Sequence, residues 1–117
     1  MLQNKQIIEK WVVAFNSANS AALGELYAVD AINHQQPNVA VVGREAIIEM
    51  FQQEFTDAPF MHCIPIQIIA EGNWCVLEWK DPKGFPGCGF FEIIDGKIKT
   101  QRGYWDKLSF QQLYPNP

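Results

Sequence analysis

Three features that mark large classes of proteins are scarce in this chain of 117 residues. Basic side chains number nine against thirteen acidic ones, so the formal charge is -4 and no basic stripe is present to neutralise nucleic-acid phosphates. No apolar run approaches the ~18 residues that a membrane span requires. The first fifteen residues mix charges into the apolar positions, which does not fit a secretory signal. We therefore expect a cytoplasmic protein with neither a nucleic-acid nor a membrane partner.

Metal ligands and disulfide pairs are scarce as well. Cys63, Cys75 and Cys88 are odd in number and match no zinc-binding spacing, which predicts buried, reduced thiols. His62 has no acidic or cysteine partner at ligand spacing, and His34 is expected at an exposed or interface position. The sequence thus predicts no metal and no cofactor.

Apolar residues, at 48% of the chain, are abundant enough for one core, so residues 1–117 are expected to form a single domain. Their spacing predicts three helices in the first half. The first runs from about residue 4 to 18, a short second one follows an N-cap at Ser20, and the third begins at Gly43 and ends near Asp57. A strand is expected from 31 to 35.

The second half has the pattern of a sheet, with strands at about 60 to 70, 73 to 80, 88 to 94 and 97 to 106. Asp95-Gly96 is the strongest hairpin signal, because a type I′ turn needs positive φ angles that Asp and Gly tolerate. Helices followed by strands predict an α+β fold, in which the three N-terminal helices pack on one face of a curved, mostly antiparallel sheet.

The order of these elements and several short strings resemble the SnoaL-like branch of the nuclear transport factor 2-like superfamily. The strings are Tyr27-Ala28-Val29-Asp30-Ala31, Gly43-Arg44-Glu45-Ala46-Ile47, Asp95-Gly96-Lys97-Ile98 and Arg102-Gly103-Tyr104-Trp105-Asp106. The resemblance covers essentially the whole chain and implies a cone-shaped fold with an internal pocket. That superfamily includes isomerases, epoxide hydrolases, polyketide cyclases and non-catalytic binding modules, so the fold alone does not identify the function.

This sequence lacks the catalytic side chains that two enzyme classes of the superfamily use. Ketosteroid isomerases use a tyrosine and a carboxylic acid as the oxyanion hole and an aspartate as the base, and the resemblance places Trp11, Gly89 and Gln35 at those positions. Limonene-epoxide hydrolases use an Asp-Arg-Asp triad with a Tyr and an Asn. Their positions correspond, by order, to Trp79, Asp81 and Gly103 for the triad and Asn33 and Gln35 for the pair. Asp81 is able to remove a proton, but the groups that would hold an epoxide oxygen and protonate it are missing.

Strand alternation points to Asp81 as the catalytic candidate. It lies on the same predicted strand face as Cys75, Leu77 and Trp79, which we expect to be the interior face. A carboxylate beside indole rings loses hydration, which suits it to act as a general base. The alternative is a structural role, since Asp before Pro commonly starts a turn and caps the backbone of Lys83 or Gly84.

The same alternation predicts a pocket for a small apolar molecule. Its expected walls are Trp11, Trp79, Phe91 and Trp105, and its expected polar groups are Asn33, Gln35 and Gln101. Gly87, Gly89 and Gly103 are interleaved with these residues and are expected to leave space beside them. The alternatives are that the aromatic residues are only core, and that Asn33 and Gln35 lie on an edge strand and point to solvent.

Two functions stay open after this reasoning. One is a cofactor-free enzyme of isomerase, cyclase or hydrolase type, with Asp81 as the base; the other is a non-catalytic ligand-binding or dimerisation domain. We also expect a homodimer through the outer sheet face with Arg102, Tyr104 and Asp106, because the three helices are able to cover only one face of the sheet.

Overall fold

Helices and strands of the chain are described for residues 2–115 by a computed structural model. The helices of this part of the chain are α1 (Asn4–Asn16), α2 (Ser20–Glu25), α3 (Arg44–Asp57) and α4 (Lys107–Leu113). Its strands are β1 (Tyr27–Gln35), β2 (Val41–Val42), β3 (Ile64–Glu71), β4 (Trp74–Lys80), β5 (Pro86–Ile94) and β6 (Lys97–Tyr104). The fold is therefore α+β, as the sequence predicts.

One sheet holds the six strands, in the spatial order β2-β1-β6-β5-β4-β3. Each neighbouring pair is antiparallel except β1 and β6, which run parallel and pair Asn33 with Gln101. The turn between β5 and β6 has φ angles of 52° at Asp95 and 77° at Gly96. Two consecutive positive φ angles are the signature of a type I′ turn, so the predicted hairpin is confirmed.

The amphipathic helices α1 and α3 contribute one side of the hydrophobic core. Ile8, Trp11 and Phe15 are buried at helical spacing on α1, and Ile47 and Phe51 are buried on α3. The sheet contributes buried residues from alternate positions of its central strands: Cys75, Leu77, Phe91, Ile93 and Ile98. The core thus lies between these helices and one sheet face.

Several sequence-based boundaries need correction. Asn19, not Ser20, caps α2, because its Oδ1 accepts a hydrogen bond from the Ala22 amide at 3.0 Å. Strand β1 begins at residue 27 instead of 31, which places Asp30 within a strand, in an ion pair with Lys99.

The described residues form four helices, where the sequence predicted three. Helix α4 was not predicted, and Asp106 is its N-cap, accepting a hydrogen bond from the Ser109 amide at 3.0 Å. Asp106 therefore does not extend the outer face of the sheet as expected. None of these helices combines the length and the apolar character needed to cross a membrane.

Candidate ligand-binding site

A cavity of about 490 Å³ lies between α1, α3 and the inner face of the sheet. Its walls are dominated by aromatic side chains: Trp11, Phe15, Phe51, Trp79, Phe85, Phe91, Trp105 and Phe110. Exposed residues on the wall, including Asn38, Asp57 and His62, mark the side that faces solvent. A concave, mostly apolar cavity of this size is typical of small-molecule sites.

Strand register explains which side chains of the sheet reach this cavity. Leu77 on β4 pairs with Gly89 on β5, and Gly89 pairs with Gly103 on β6, so these three residues form one row across the inner face. The next row in the same phase pairs Phe91 with Gln101. Since side chains alternate between the two faces of a sheet, both rows point toward the helices.

The glycines of this face do not leave empty space at every position, which corrects one expectation. A Cβ atom at Gly87 would collide with the indole ring of Trp79, and one at Gly103 would collide with the side-chain amide of Gln35. Glycine at these two positions lets those side chains lie across the neighbouring strand. The close approach fixes where Trp79 and Gln35 contribute to the wall.

Two chains of hydrogen bonds run behind the aromatic wall. In the first, the Trp11 indole N–H donates to the Tyr27 hydroxyl at 2.9 Å, and that hydroxyl donates to Gln101 Oε1. In the second, the Trp105 indole N–H donates to Gln35 Oε1 at 3.0 Å, and Gln35 Nε2 donates to Asn33 Oδ1 at 2.8 Å. Both chains fix the orientation of tryptophans that line the cavity.

Each of these two hydrogen-bond chains ends on a side-chain amide nitrogen. Among the described residues, the buried Asn33 Nδ2 has no hydrogen-bond partner, and Gln101 Nε2 makes no hydrogen bond to the protein. Gln101 lies on the cavity wall and is 4% exposed, whereas Asn33 is buried behind the wall. Gln101 therefore offers an N–H donor to an acceptor atom in the cavity.

Glu54 is an ionisable residue of this wall that the sequence analysis did not include among the site residues. It is half-buried on α3, one turn after Phe51, and its carboxylate makes no hydrogen bond or ion pair within the described chain. Burial raises the pKa of Glu54 to about 7. A carboxyl with a pKa near neutrality changes charge within the physiological range and is suited to proton transfer.

Tyr27 and Cys63 are two further ionisable residues of the core, and burial raises the pKa of both. Burial raises the pKa of the Tyr27 hydroxyl, and the neighbouring Glu54 carboxylate raises it further. Burial also raises the pKa of the Cys63 thiol to about 12, so this cavity-lining cysteine is not an activated nucleophile. Of these three residues, Glu54 is the one whose pKa lies near neutral pH.

Asp81 has contacts of a different kind. Its Oδ1 accepts hydrogen bonds from the backbone amides of Lys83, at 2.9 Å, and Phe85, at 2.8 Å, while its Oδ2 accepts from the Tyr114 hydroxyl. Partial burial of Tyr114 and its hydrogen bond to Asp81 raise the pKa of that tyrosine to about 12. Asp81 is 1% exposed but is not on the cavity wall, and these bonds match the turn-capping alternative.

The opposite face of the sheet carries Arg102 and Tyr104. The Arg102 guanidinium lies 4.7 Å from the centroid of the Trp74 ring, and the Tyr104 ring meets Phe90 with centroids 5.7 Å apart. Tyr104 is 42% exposed. Of the three residues expected on the outer face, Arg102 and Tyr104 therefore lie there.

The sequence itself, compared with models of protein families, matches the SnoaL-like domain over residues 8–101. The chain belongs to this SnoaL-like family. It is therefore a member of the nuclear transport factor 2-like superfamily, as the short strings predict. No curated protein matches the chain.

Solved structures similar to this SnoaL-like domain share its fold at low sequence identity. A nuclear transport factor 2-like protein of unknown function from Burkholderia pseudomallei is 16% identical, with a TM-score of 0.82 and coverage of 99% of this chain and 100% of that one. A protein with a ketosteroid isomerase-like fold from Catenulispora acidiphila, in complex with trimethylamine, is 19% identical, with a TM-score of 0.81 and coverage of 98% and 96%.

A third similar structure carries a name that refers to an activity. It is a putative polyketide cyclase from Sinorhizobium meliloti, 19% identical, with a TM-score of 0.77 and coverage of 85% of this chain and 94% of that one. At these identities the likeness of the three proteins to the SnoaL-like domain concerns the fold alone.

Most side chains that alternation assigned to a pocket of this SnoaL-like domain lie around the cavity. These are Trp11, Gln35, Trp79, Phe91, Gln101 and Trp105. Sequence reasoning missed Phe85, which closes the wall from a loop, and Phe110, which reaches it from α4. It also missed Glu54, although an acid three residues after Phe51 and seven after Ile47 shares the apolar face of α3, and that spacing was a readable signal.

Proposed function

We propose that this SnoaL-like domain binds a small, largely apolar organic molecule in the cavity between its helices and sheet. The observation that carries the proposal is an aromatic-walled volume of about 490 Å³ that holds few polar groups. Aromatic residues used only as core would interdigitate and close such a volume, because protein interiors are close-packed.

The polar groups of the cavity wall favour a ligand that has a hydrogen-bond acceptor. The side-chain N–H groups of Gln101 have no acceptor among the described residues, and the Tyr27 hydroxyl donates to its Oε1, which fixes the orientation of the amide. An apolar ligand with a carbonyl, ester or hydroxyl oxygen is able to accept that N–H while its carbon skeleton contacts the aromatic rings.

Two of the similar structures are compatible with this proposal. One was obtained in complex with trimethylamine, a small organic molecule, and another is described as a putative polyketide cyclase. Neither description transfers a ligand or a reaction to this chain, because identity is 19% in both cases. Both agree with the proposal that a protein of this fold binds a small molecule.

Tryptophan fluorescence tests the proposal because the four tryptophans divide into two groups. Trp11, Trp79 and Trp105 line the cavity, and Trp74 does not. Camphor and γ-decalactone are suitable probes, being apolar molecules with one carbonyl group. We expect a saturable change in emission with at least one of them. No change with either probe would contradict the proposal.

Matched variants on strand β4 locate the response. Trp79→Phe removes an indole from the cavity wall, whereas Trp74→Phe removes one from the opposite sheet face. Trp79→Phe should reduce the ligand-dependent change, and Trp74→Phe should leave it intact. If Trp74→Phe abolishes the response while Trp79→Phe preserves it, the probe binds outside the cavity.

Acid-base catalysis on the bound molecule is a second candidate function, favoured by Glu54. This carboxyl lies on the wall, and burial brings its pKa to about 7. The catalytic role that the sequence analysis expected for Asp81 has no comparable support, since its oxygens are engaged by Lys83, Phe85 and Tyr114. The base of an isomerase, cyclase or hydrolase is therefore better sought at Glu54.

Hydrogen–deuterium exchange at the carbon next to the carbonyl of γ-decalactone tests this second candidate without a known substrate. A positioned base typically accelerates proton transfer ~10²–10⁴-fold. The wild-type domain should speed the exchange, and Glu54→Gln should not. Equal exchange rates with the two proteins would contradict catalysis by Glu54 and leave ligand binding unaffected.

A further inference from the structure

Charges on the cavity wall are of one sign. Glu54 and Asp57 are its carboxylates, and no Lys or Arg is among the wall residues of the described chain. Asp57 is exposed and accepts a hydrogen bond from Gln53, whereas Glu54 is half-buried and has no such partner. Among residues 2–115, therefore, no group compensates the charge of Glu54.

Aromatic rings surround the inner part of the same cavity. The Trp11 ring stacks on Phe15 with centroids 5.1 Å apart, and it meets Phe91 and Phe51 edge-on at 5.5 and 6.2 Å. Phe51 lies one helical turn before Glu54 on α3. Ring faces carry partial negative charge and attract cations within ~6 Å of the ring centroid.

We propose that the natural ligand carries a positive charge, as a tertiary or quaternary ammonium group, and that this group binds between the aromatic wall and the Glu54 carboxylate. The inference rests on the proposed ligand-binding function and names the ligand class. Rings alone accept any apolar molecule. An uncompensated carboxylate on the same wall favours an organic cation over a neutral molecule of equal shape, because the ion pair offsets the desolvation of both charges.

Ionisation of Glu54 is coupled to such binding. In the domain alone, burial raises the pKa of Glu54 to about 7, and a bound cation favours its charged form. The other titratable residues on the cavity wall are Asp57 on α3, His62 and Cys63 between α3 and β3, and Cys88 on β5. Tyr27 on β1 is not on the wall, but its hydroxyl interacts electrostatically with Glu54. A quaternary ammonium has no titratable proton, so any pH dependence of its binding originates in the protein.

Choline and its neutral isostere 3,3-dimethylbutan-1-ol form a matched pair of probes, because a nitrogen and its charge replace a carbon. We expect calorimetry at pH 8 to give roughly tenfold tighter binding of choline to the wild-type domain. Glu54→Gln should remove that preference, because choline loses its ion pair while dimethylbutanol has none to lose. Asp57→Asn, at the exposed rim, should retain most of it.

A pH series separates Glu54 from other groups. Choline affinity should rise between about pH 5.5 and pH 8 in the wild-type domain and stay flat in Glu54→Gln. His62→Gln is the control for the imidazole, since histidines also change charge near neutral pH, and it should preserve the rise. A rise that is lost in His62→Gln and kept in Glu54→Gln would overturn the role of Glu54.

The remaining outcomes distinguish this inference from the proposed function. Equal affinity for choline and dimethylbutanol, or a choline preference retained by Glu54→Gln, overturns the inference but leaves ligand binding in place. Binding of camphor or γ-decalactone without binding of choline does the same. If neither the isosteric pair nor those two carbonyl probes bind, both the inference and the proposed function fail.

Discussion

Replacing Glu54 with Gln should stabilise the folded domain at alkaline pH and leave its stability nearly unchanged at acid pH. Burial raises the pKa of this carboxyl from 4.5 to about 7 in the folded state. Protonated Glu54 contributes stability fully below pH 4.5, and this contribution is lost as pH rises to about 7. Glutamine imitates the protonated form at every pH.

The size of the effect follows from the displacement of the pKa. Each pH unit between the unfolded and folded values corresponds to ~1.4 kcal/mol, which gives on the order of 3 kcal/mol for a fully desolvated group. Glu54 is only half-buried, so solvent screening lowers the expected gain to about 2 kcal/mol. The wild-type and variant proteins should differ little below pH 4.5, and the gap should open between pH 4.5 and about pH 7.

Urea denaturation at several pH values measures this difference as the free energy of unfolding. Glu49→Gln is the matched control, because Glu49 lies on the same helix but is exposed, and its curve should parallel that of the wild-type domain. Parallel curves for Glu54→Gln and wild type across the whole range would refute the assignment of Glu54 as a desolvated carboxyl.

Three other predictions concern the fold around the site. Asp81→Ala should lower the free energy of unfolding by about 3 kcal/mol, because it removes three hydrogen bonds and leaves the Phe85 amide unpaired. Asp57→Ala, at an exposed residue with one hydrogen bond, should lower it little. Equal losses for the two variants in urea denaturation would contradict the turn-capping role of Asp81. Gly87→Ala should displace the Trp79 ring and weaken probe binding. Gly89→Ala is a milder change, since its Cβ would lie 3.1 Å from Phe91 Cε1, and it should retain probe binding. Fluorescence titration of both variants measures the affinities, and unchanged binding by Gly87→Ala would contradict the prediction. We propose that the outer sheet face pairs two copies, so sedimentation equilibrium at tens of micromolar should show a dimer that Tyr104→Glu dissociates, and a wild-type monomer would contradict the proposal.

The sequence predicted those features of the fold that depend on neighbouring residues alone, such as strand alternation and a tight turn. Alternation along β4, β5 and β6 fixes which side chains share a face, so Trp79, Phe91 and Gln101 could be assigned to one surface from their positions in the sequence. The Asp95-Gly96 turn depends only on the φ angles that those two residues tolerate.

Contacts between segments that are far apart in the sequence could not be predicted from such local patterns. Phe85 belongs to a loop, and it packs on the cavity wall against Trp79, Trp105 and Phe110, which come from three different segments of the chain. Alternation assigned Asp81 to the interior, and the residue is buried, but its carboxylate accepts hydrogen bonds from two amides of the loop after β4 and from the Tyr114 hydroxyl. Alternation gives the face of a side chain and not the partner that it finds there.

Indole N–H resonances in a ¹H–¹⁵N NMR spectrum give the most direct test that the cavity is a ligand site. Tryptophan-to-phenylalanine variants assign the four signals. On addition of camphor or γ-decalactone, the signals of Trp11, Trp79 and Trp105 should shift, and that of Trp74, on the opposite sheet face, should stay in place. Signals that do not move with either probe, or shifts confined to Trp74, would contradict the account.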